Sequence, residues 1–155
     1  LALEMAGLPV KVLGLLSDSD RLDIDVDVQS DITIKHKSGA VSQIHLDYLQ
    51  KPAHRSGIIT FERGWLSYDF SEMKLTGQHL DDEKSSVIWT ENKYDYNMMY
   101  IEQLQNFIQY VEEGRIKHSF DTAASLESIK VVDAVFESNK TSSLVSIERN
   151  ERFTF

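Results

Sequence analysis

The chain has 155 residues and no cysteine, and its 25 acidic residues against 16 basic ones give a net charge of −9. That length suits one domain with a real core, and a hydrophobic share of 41% places it among chains that fold. The acidic balance argues against a nucleic-acid or anionic-membrane partner, no apolar run approaches the roughly 20 residues a membrane helix needs, and the missing cysteine removes disulfide scaffolds, thiolate zinc sites and thiol catalysis.

Leu1 to Ala6 reads as the last turns of a helix ending at Gly7. It is neither a signal peptide nor an initiator methionine, so the chain is expected to begin inside an element, as a fragment would. Pro9 blocks helix continuation, and Val10 to Leu16 reads as a short buried strand. After the polar loop from Ser17 to Arg21, Ile24, Val26 and Val28 alternate with Asp23, Asp25 and Asp27, the period of a strand with one wet face. A break at Gln29 to Asp31 is expected, with Ile32, Ile34 and His36 resuming the alternation. Ser38-Gly39 marks a hairpin turn. The return strand sets Ala40, Ile44, Leu46 and Tyr48 on one face and Gln43, His45 and Asp47 on the other.

Pro52 ends that strand within the loop Lys51 to Ser56. Gly57 to Arg63 and Trp65 to Phe70 read as strands hinged at Gly64. Met73 to Thr76 and Ser86 to Thr90 follow, with the acidic loop Leu80 to Lys84 between them. Tyr100, Leu104, Phe107, Ile108 and Val111 then recur at helical spacing, and Gly114 stops that helix. Asp121 is placed to cap a second helix, whose Leu126, Ile129, Val132, Val135 and Phe136 are expected to face the core. Ser142 to Ile147 reads as a last strand. Hairpin-length connections predict an α+β fold: an open-faced, largely antiparallel sheet with two long helices on one face and the other face left for oligomerisation. One domain is expected over residues 1–147, with a tail over 148–155 whose Phe153 and Phe155 either dock on a partner or stay disordered.

Several passages resemble the C-terminal domain of the glucose–fructose oxidoreductase / inositol dehydrogenase (Gfo/Idh/MocA) family. Asp31 to Val41 resembles that family's hairpin ending in Gly-Ala/Val. Arg55, Gly57, Ile58, Ile59, Glu62, Gly64, Trp65 and Leu66 resemble its strand pair, with Phe61 where a glycine is usual. Asn97, Tyr100, Gln103 and Phe107 resemble its first long helix. Ser119 to Leu126 resembles the start of its second helix, with Thr122 where glycine is frequent.

The resemblance implies a parent enzyme, an NAD(P)-dependent dehydrogenase acting on a CH–OH group of a sugar or nucleotide-sugar, cytoplasmic. Its N-terminal Rossmann domain and proton-transfer residues would lie outside this chain. No G-x-G-x-x-G occurs here, so NAD or NADP is expected only in the parent, with no cofactor, catalytic or metal residue in this fragment, which alone is predicted inactive. The same resemblance implies a homo-oligomer through the open sheet face, a sugar-binding cleft completed by strand ends and loops, and no nucleic-acid or membrane partner.

For that cleft the loop Tyr48 to Arg55 offers an aromatic platform at Tyr48 and cations at Lys51, His54 and Arg55, beside Gln50; Arg55 stands out because its fork grips carboxylate or phosphate through two bonds. The bland alternative is a solvated loop whose arginine pairs with a nearby acid. His45 and Asp47, with His36 across the hairpin, have metal-ligand chemistry but fall short of the three or four ligands zinc requires. Trp65 and Tyr68 fall on opposite faces of one strand, dividing between core and exposed sheet. Tyr94 and Tyr96 either border the cleft or seal the helix start. A standalone binding or assembly module with the same fold, or an unrelated ligand-binding α+β sandwich, accounts for the same pattern.

Overall fold

A computed structural model describes residues 1–18, 22–114 and 122–147. The expected tail 148–155, the cap at Asp121 and residues 19–21 of the polar loop lie outside the described residues. The contacts gather into two units, one from Leu1–Leu49 with the described part of Ile116–Phe155, the other from the described part of Gln50–Arg115.

The first unit is built on a four-stranded antiparallel sheet in the order β3-β2-β1-β8, with β1 Pro9–Ser17, β2 Gln29–His36, β3 Val41–Asp47 and β8 Val145–Ser146. Alternation puts Val12 of β1 and Ile34 of β2 opposite one another on the inner face, both almost fully buried. The helix α3, Thr122–Thr141, covers that face through Val131, Ala134 and Val135. Gly14 makes the close approach possible, since a Cβ there would stand 2.8 Å from Val135 Cγ1. The short helix α1, Ala2–Ala6, and its cap Gly7 (φ 82°) lead into β1.

Three expectations are corrected in this unit. Ile24 to Val28 form no strand, and β2 begins at Gln29, where a break was expected. β1 ends at Ser17, its partner in register is Gln29, and the closely spaced Asp23, Asp25 and Asp27 have no strand to pair with. Only Val28 of that run is buried, its amide bonded to Ser17 O. The buried stripe of α3 is also rotated. Of the five expected core residues only Val135 is buried, while Leu126, Ile129, Val132 and Phe136 are exposed. The stripe of Val131, Ala134, Val135 and Ser138 wins because its small side chains let the helix approach Gly14. The last strand shortens to Val145–Ser146.

The second unit carries the antiparallel meander β4-β5-β6-β7, with β4 Ser56–Phe61, β5 Gly64–Asp69, β6 Lys74–His79 and β7 Ser86–Thr90. Its helix α2, Tyr96–Glu113, starts where the Asp95 carboxylate accepts the Asn97 amide at 2.9 Å and ends at Gly114 in the left-handed region (φ 63°). The stripe Tyr100, Leu104, Phe107, Ile108 and Val111 is exposed throughout. The α+β class and the antiparallel pairing stand as expected, with the strands divided between two sheets instead of joined in one. No helix among the described residues is long and apolar enough to cross a membrane.

Candidate functional site

The site grows out of the β4–β5 hairpin. Turning at Glu62-Arg63 aligns Ser56 with Asp69, so the residue before β4 faces the residue after β5. The Phe70 amide donates to Arg55 O at 2.9 Å and closes that end of the hairpin. Period-2 alternation then sends the side chains of Arg55, Gly57, Tyr68 and Phe70 to one face.

On that face the Arg55 guanidinium lies over the Phe70 ring, with its central carbon 4.9 Å from the ring centroid. The Phe70 ring meets Tyr68 edge-on at 5.3 Å. Tyr68 in turn lies across Gly57, where a Cβ would stand 2.3 Å from its hydroxyl oxygen. The Tyr96 hydroxyl, at the start of α2, donates to Phe70 O at 3.1 Å, and Tyr94 stacks edge-on against Tyr96 at 5.3 Å. One arginine thus sits on the Phe70 ring of an aromatic group drawn from the end of β5 and the start of α2.

The acid on the facing strand is engaged through one oxygen, Oδ1. The Asp69 carboxylate accepts the Glu72 amide at 3.1 Å and the Ser71 amide at 2.8 Å, closing the β5–β6 turn. The Glu72 amide first, then the Ser71 amide and the nearby His54, hold its carboxyl below the usual aspartate range. Among the loop residues the sequence singles out, His54 and Arg55 therefore come together with Asp69 and Phe70. Lys51 is exposed in the same loop, and no hydrogen bond or ion pair joins it to either among the described residues. Tyr48 belongs to the first unit, where its amide bonds to Val28 O and its side chain is exposed.

A second polar group stands at the other end of the same sheet. Arg63 donates from Nη2 to Asp81 Oδ2 at 2.8 Å and from Nε to His79 Nε2 at 3.2 Å. It borders an open, largely apolar hollow of about 420 Å³ that includes Phe61, Leu66, Gly77 and Ile88. The sequence shows Asp81 only as part of an acidic loop. The register that sets Gly64 against His79 is what brings it to Arg63.

In the first unit His36 is buried, with Nδ1 2.7 Å from Gly7 O and Nε2 2.8 Å from Ser42 Oγ; it is a core histidine on the face opposite His45. His45 stands between two acids on the exposed face, Nδ1 2.6 Å from Asp31 Oδ1 and Nε2 3.3 Å from Asp47 Oδ2. The Asp31 hydrogen bond is the main reason its pKa is raised, and the same bond lowers that of Asp31. Both ring nitrogens face carboxylates, which suits a proton and not a metal ion. Among the described residues no group of three such side chains is arranged to hold a metal.

No family model matches the sequence, and no curated protein matches it. Solved structures do match in fold. A levoglucosan dehydrogenase in its apo form superposes with a TM-score of 0.85 at 16% identity, covering 97% of this chain and 49% of that one. An aldose-aldose oxidoreductase from Caulobacter crescentus complexed with glycerol gives 0.76 at 18% identity, over 94% of this chain and 43% of that one. An oxidoreductase from Agrobacterium radiobacter in complex with NAD+, L-tartaric acid and magnesium gives 0.75 at 15% identity, over 94% and 45%. The chain has an α+β fold found in these oxidoreductases and spans about half their length.

Proposed function

We propose that this chain is the C-terminal, substrate-binding and oligomerising domain of an NAD(P)-dependent sugar or nucleotide-sugar oxidoreductase of the Gfo/Idh/MocA type, working in the cytoplasm. The observation that carries this reading is the match of nearly the whole chain to about half of a levoglucosan dehydrogenase. Related structures of that enzyme hold NADH and levoglucosan, which points to a nicotinamide and a sugar in the parent of this chain.

The residues present here do not fit the nicotinamide cofactor. All strand pairs among the described residues are antiparallel, so no βαβ unit is formed, and no glycine of the chain lies in a turn from strand into helix. No step of hydride transfer is therefore assigned to this chain. Its part is to bind and orient: Arg55, supported by Phe70, with His54 beside it, is the candidate contact to substrate. The exposed sheet face is the candidate contact between copies.

Calorimetric titration of this chain with NADH and NADPH tests the division of labour. The reading expects no saturable heat. Micromolar binding of either would show that the cofactor site lies within these residues.

A further inference from the structure

The arginines among the described residues are Arg55 and Arg63, and they are held differently. Arg63 is neutralised by Asp81 and also donates to His79. Arg55 has no carboxylate partner and no side-chain hydrogen bond among the described residues; its contact is the face of Phe70. The acid across the hairpin, Asp69, directs one oxygen, Oδ1, to two backbone amides and forms no ion pair with Arg55 among the described residues. The Phe70 ring takes up none of the guanidinium's in-plane N–H bonding capacity, so Arg55 keeps its N–H edges for other acceptors. Those edges form the fork that donates to two oxygens of a carboxylate or phosphate. Such a cation without an acid is unexpected in a chain of net charge −9, where acids outnumber bases.

The neighbourhood fits the rest of such a ligand. Tyr68, Phe70 and Tyr96 give apolar ring surface of the kind that covers the C–H face of a sugar ring. Gly57 keeps room for Tyr68 against the strand. The imidazole of His54 supplies a further polar group on the loop.

We propose that this face takes a sugar bearing an oxyanion, a carboxylate or a phosphate, with Arg55 as the residue that selects the charged substrate over its neutral counterpart. This rests on the oxidoreductase reading and deepens it by naming the substrate class.

The test titrates the chain as it is with four probes at one ionic strength, following the Arg55 Nε–H signal by NMR: D-galacturonate, D-glucose 6-phosphate, neutral D-galactose and inorganic phosphate. The expected result is that at least one acidic sugar shifts the Arg55 signal with an affinity about tenfold or more above that of galactose, as a two-bond charged grip should give. Whichever of galacturonate and glucose 6-phosphate binds tighter identifies the oxyanion. Arg55→Lys keeps the charge, loses the fork and should lose that advantage, whereas Arg63→Lys should keep it. Equal binding of galactose and galacturonate would overturn the inference and leave the sugar-oxidoreductase reading in place. Inorganic phosphate binding as tightly as the acidic sugars would overturn it as well, leaving a bare anion site. If no probe moves Arg55, the inference fails, while the nicotinamide titration still judges the broader reading separately.

Discussion

The Gly14 amide donates a 2.9 Å hydrogen bond to the Ser138 hydroxyl, joining β1 to α3 across 124 positions of chain. The same hydroxyl donates to Ser143 O at 2.6 Å, and one residue further on Asn139 Oδ1 accepts the Leu16 amide at 2.9 Å. Among the described residues the Ile147 amide bonds to Val10 O, and β8 pairs with β1 at Lys11 and Val12. Beyond that point the edge of β1 would carry unmet amides, and the end of α3 meets them with side chains.

Ser138→Ala should therefore cost more than a surface hydroxyl would. Ser138 is fully buried, and its loss leaves both the Gly14 amide and Ser143 O without their partner. The expected destabilisation is about 1–3 kcal/mol, read from the urea midpoint. A change under a few tenths would mean that water replaces the hydroxyl.

Gly14→Ala reaches the same contact from the strand side. The added Cβ would lie 2.8 Å from Val135 Cγ1 and 3.0 Å from Val135 Cα, so the helix must move. A loss of about 1–3 kcal/mol is expected although alanine suits a strand better than glycine does. The double variant with Ser138→Ala should be non-additive, because both changes act on one interface.

Gly64→Ala should be harsher than Gly57→Ala. Gly64 has φ 148° and a Cβ there would meet the backbone oxygen of Gln78 at 2.2 Å, which cannot step aside. At Gly57 the obstacle is the hydroxyl end of Tyr68, which can swing away. Gly57→Ala should thus keep the fold and move Tyr68 off Phe70, seen as a change in the aromatic signals of both rings. If the two variants unfold at the same urea concentration, the distinction between backbone and side-chain obstacles is wrong.

His45 gives a dependence on pH whose sign can be worked out. Its pKa is raised above the ordinary 6.5, mainly by Asp31, so the pairing is fully present below 6.5 and is lost as pH rises through the raised midpoint. Asp31 is lowered from 3.8, so its share is present above 3.8 and is lost as pH falls through its lowered midpoint. Both groups are exposed, so the effect on stability is small and the titration itself is the readout. Asp31→Asn should bring the His45 midpoint down toward 6.5. A midpoint already at or below 6.5 in the parent chain would contradict the geometry.

The open sheet face gives a test of self-association. Trp65 and Tyr68 lie on opposite faces of β5, paired in register with Gln78 and Leu75. Replacing whichever is at the contact between copies by glutamate should shift the mass measured in solution toward the monomer. If neither Trp65→Glu nor Tyr68→Glu changes it, the sheet face is not the contact.

Much of this fold is legible in the sequence because its signals are local. Gly114 after the last apolar repeat and the alternation in the β4–β5 hairpin each mark an element without reference to the rest of the chain. What the sequence leaves open depends on distant partners. The α3 sequence carries two candidate apolar stripes, and the choice between them is made by Gly14, far away in β1. The run from Ile24 to Val28 alternates like a strand, but among the described residues only its last member, Val28, forms backbone bonds to a neighbouring stretch, at Ser17 and Tyr48. At the candidate site, Arg55 stands out by its chemistry, whereas Phe70 joins it only through the hairpin register. Arg63, His79 and Asp81 meet for the same kind of reason.

The claim at the centre of this account is that the chain works as one half of a two-domain oxidoreductase. The most direct measurement is the sequence of the source gene upstream of the Leu1 codon. The account predicts an in-frame segment with a G-x-G-x-x-G turn in a βαβ unit. A stop codon and a new start immediately before Leu1 would contradict it and leave a domain that binds or assembles without a cofactor partner on the same chain.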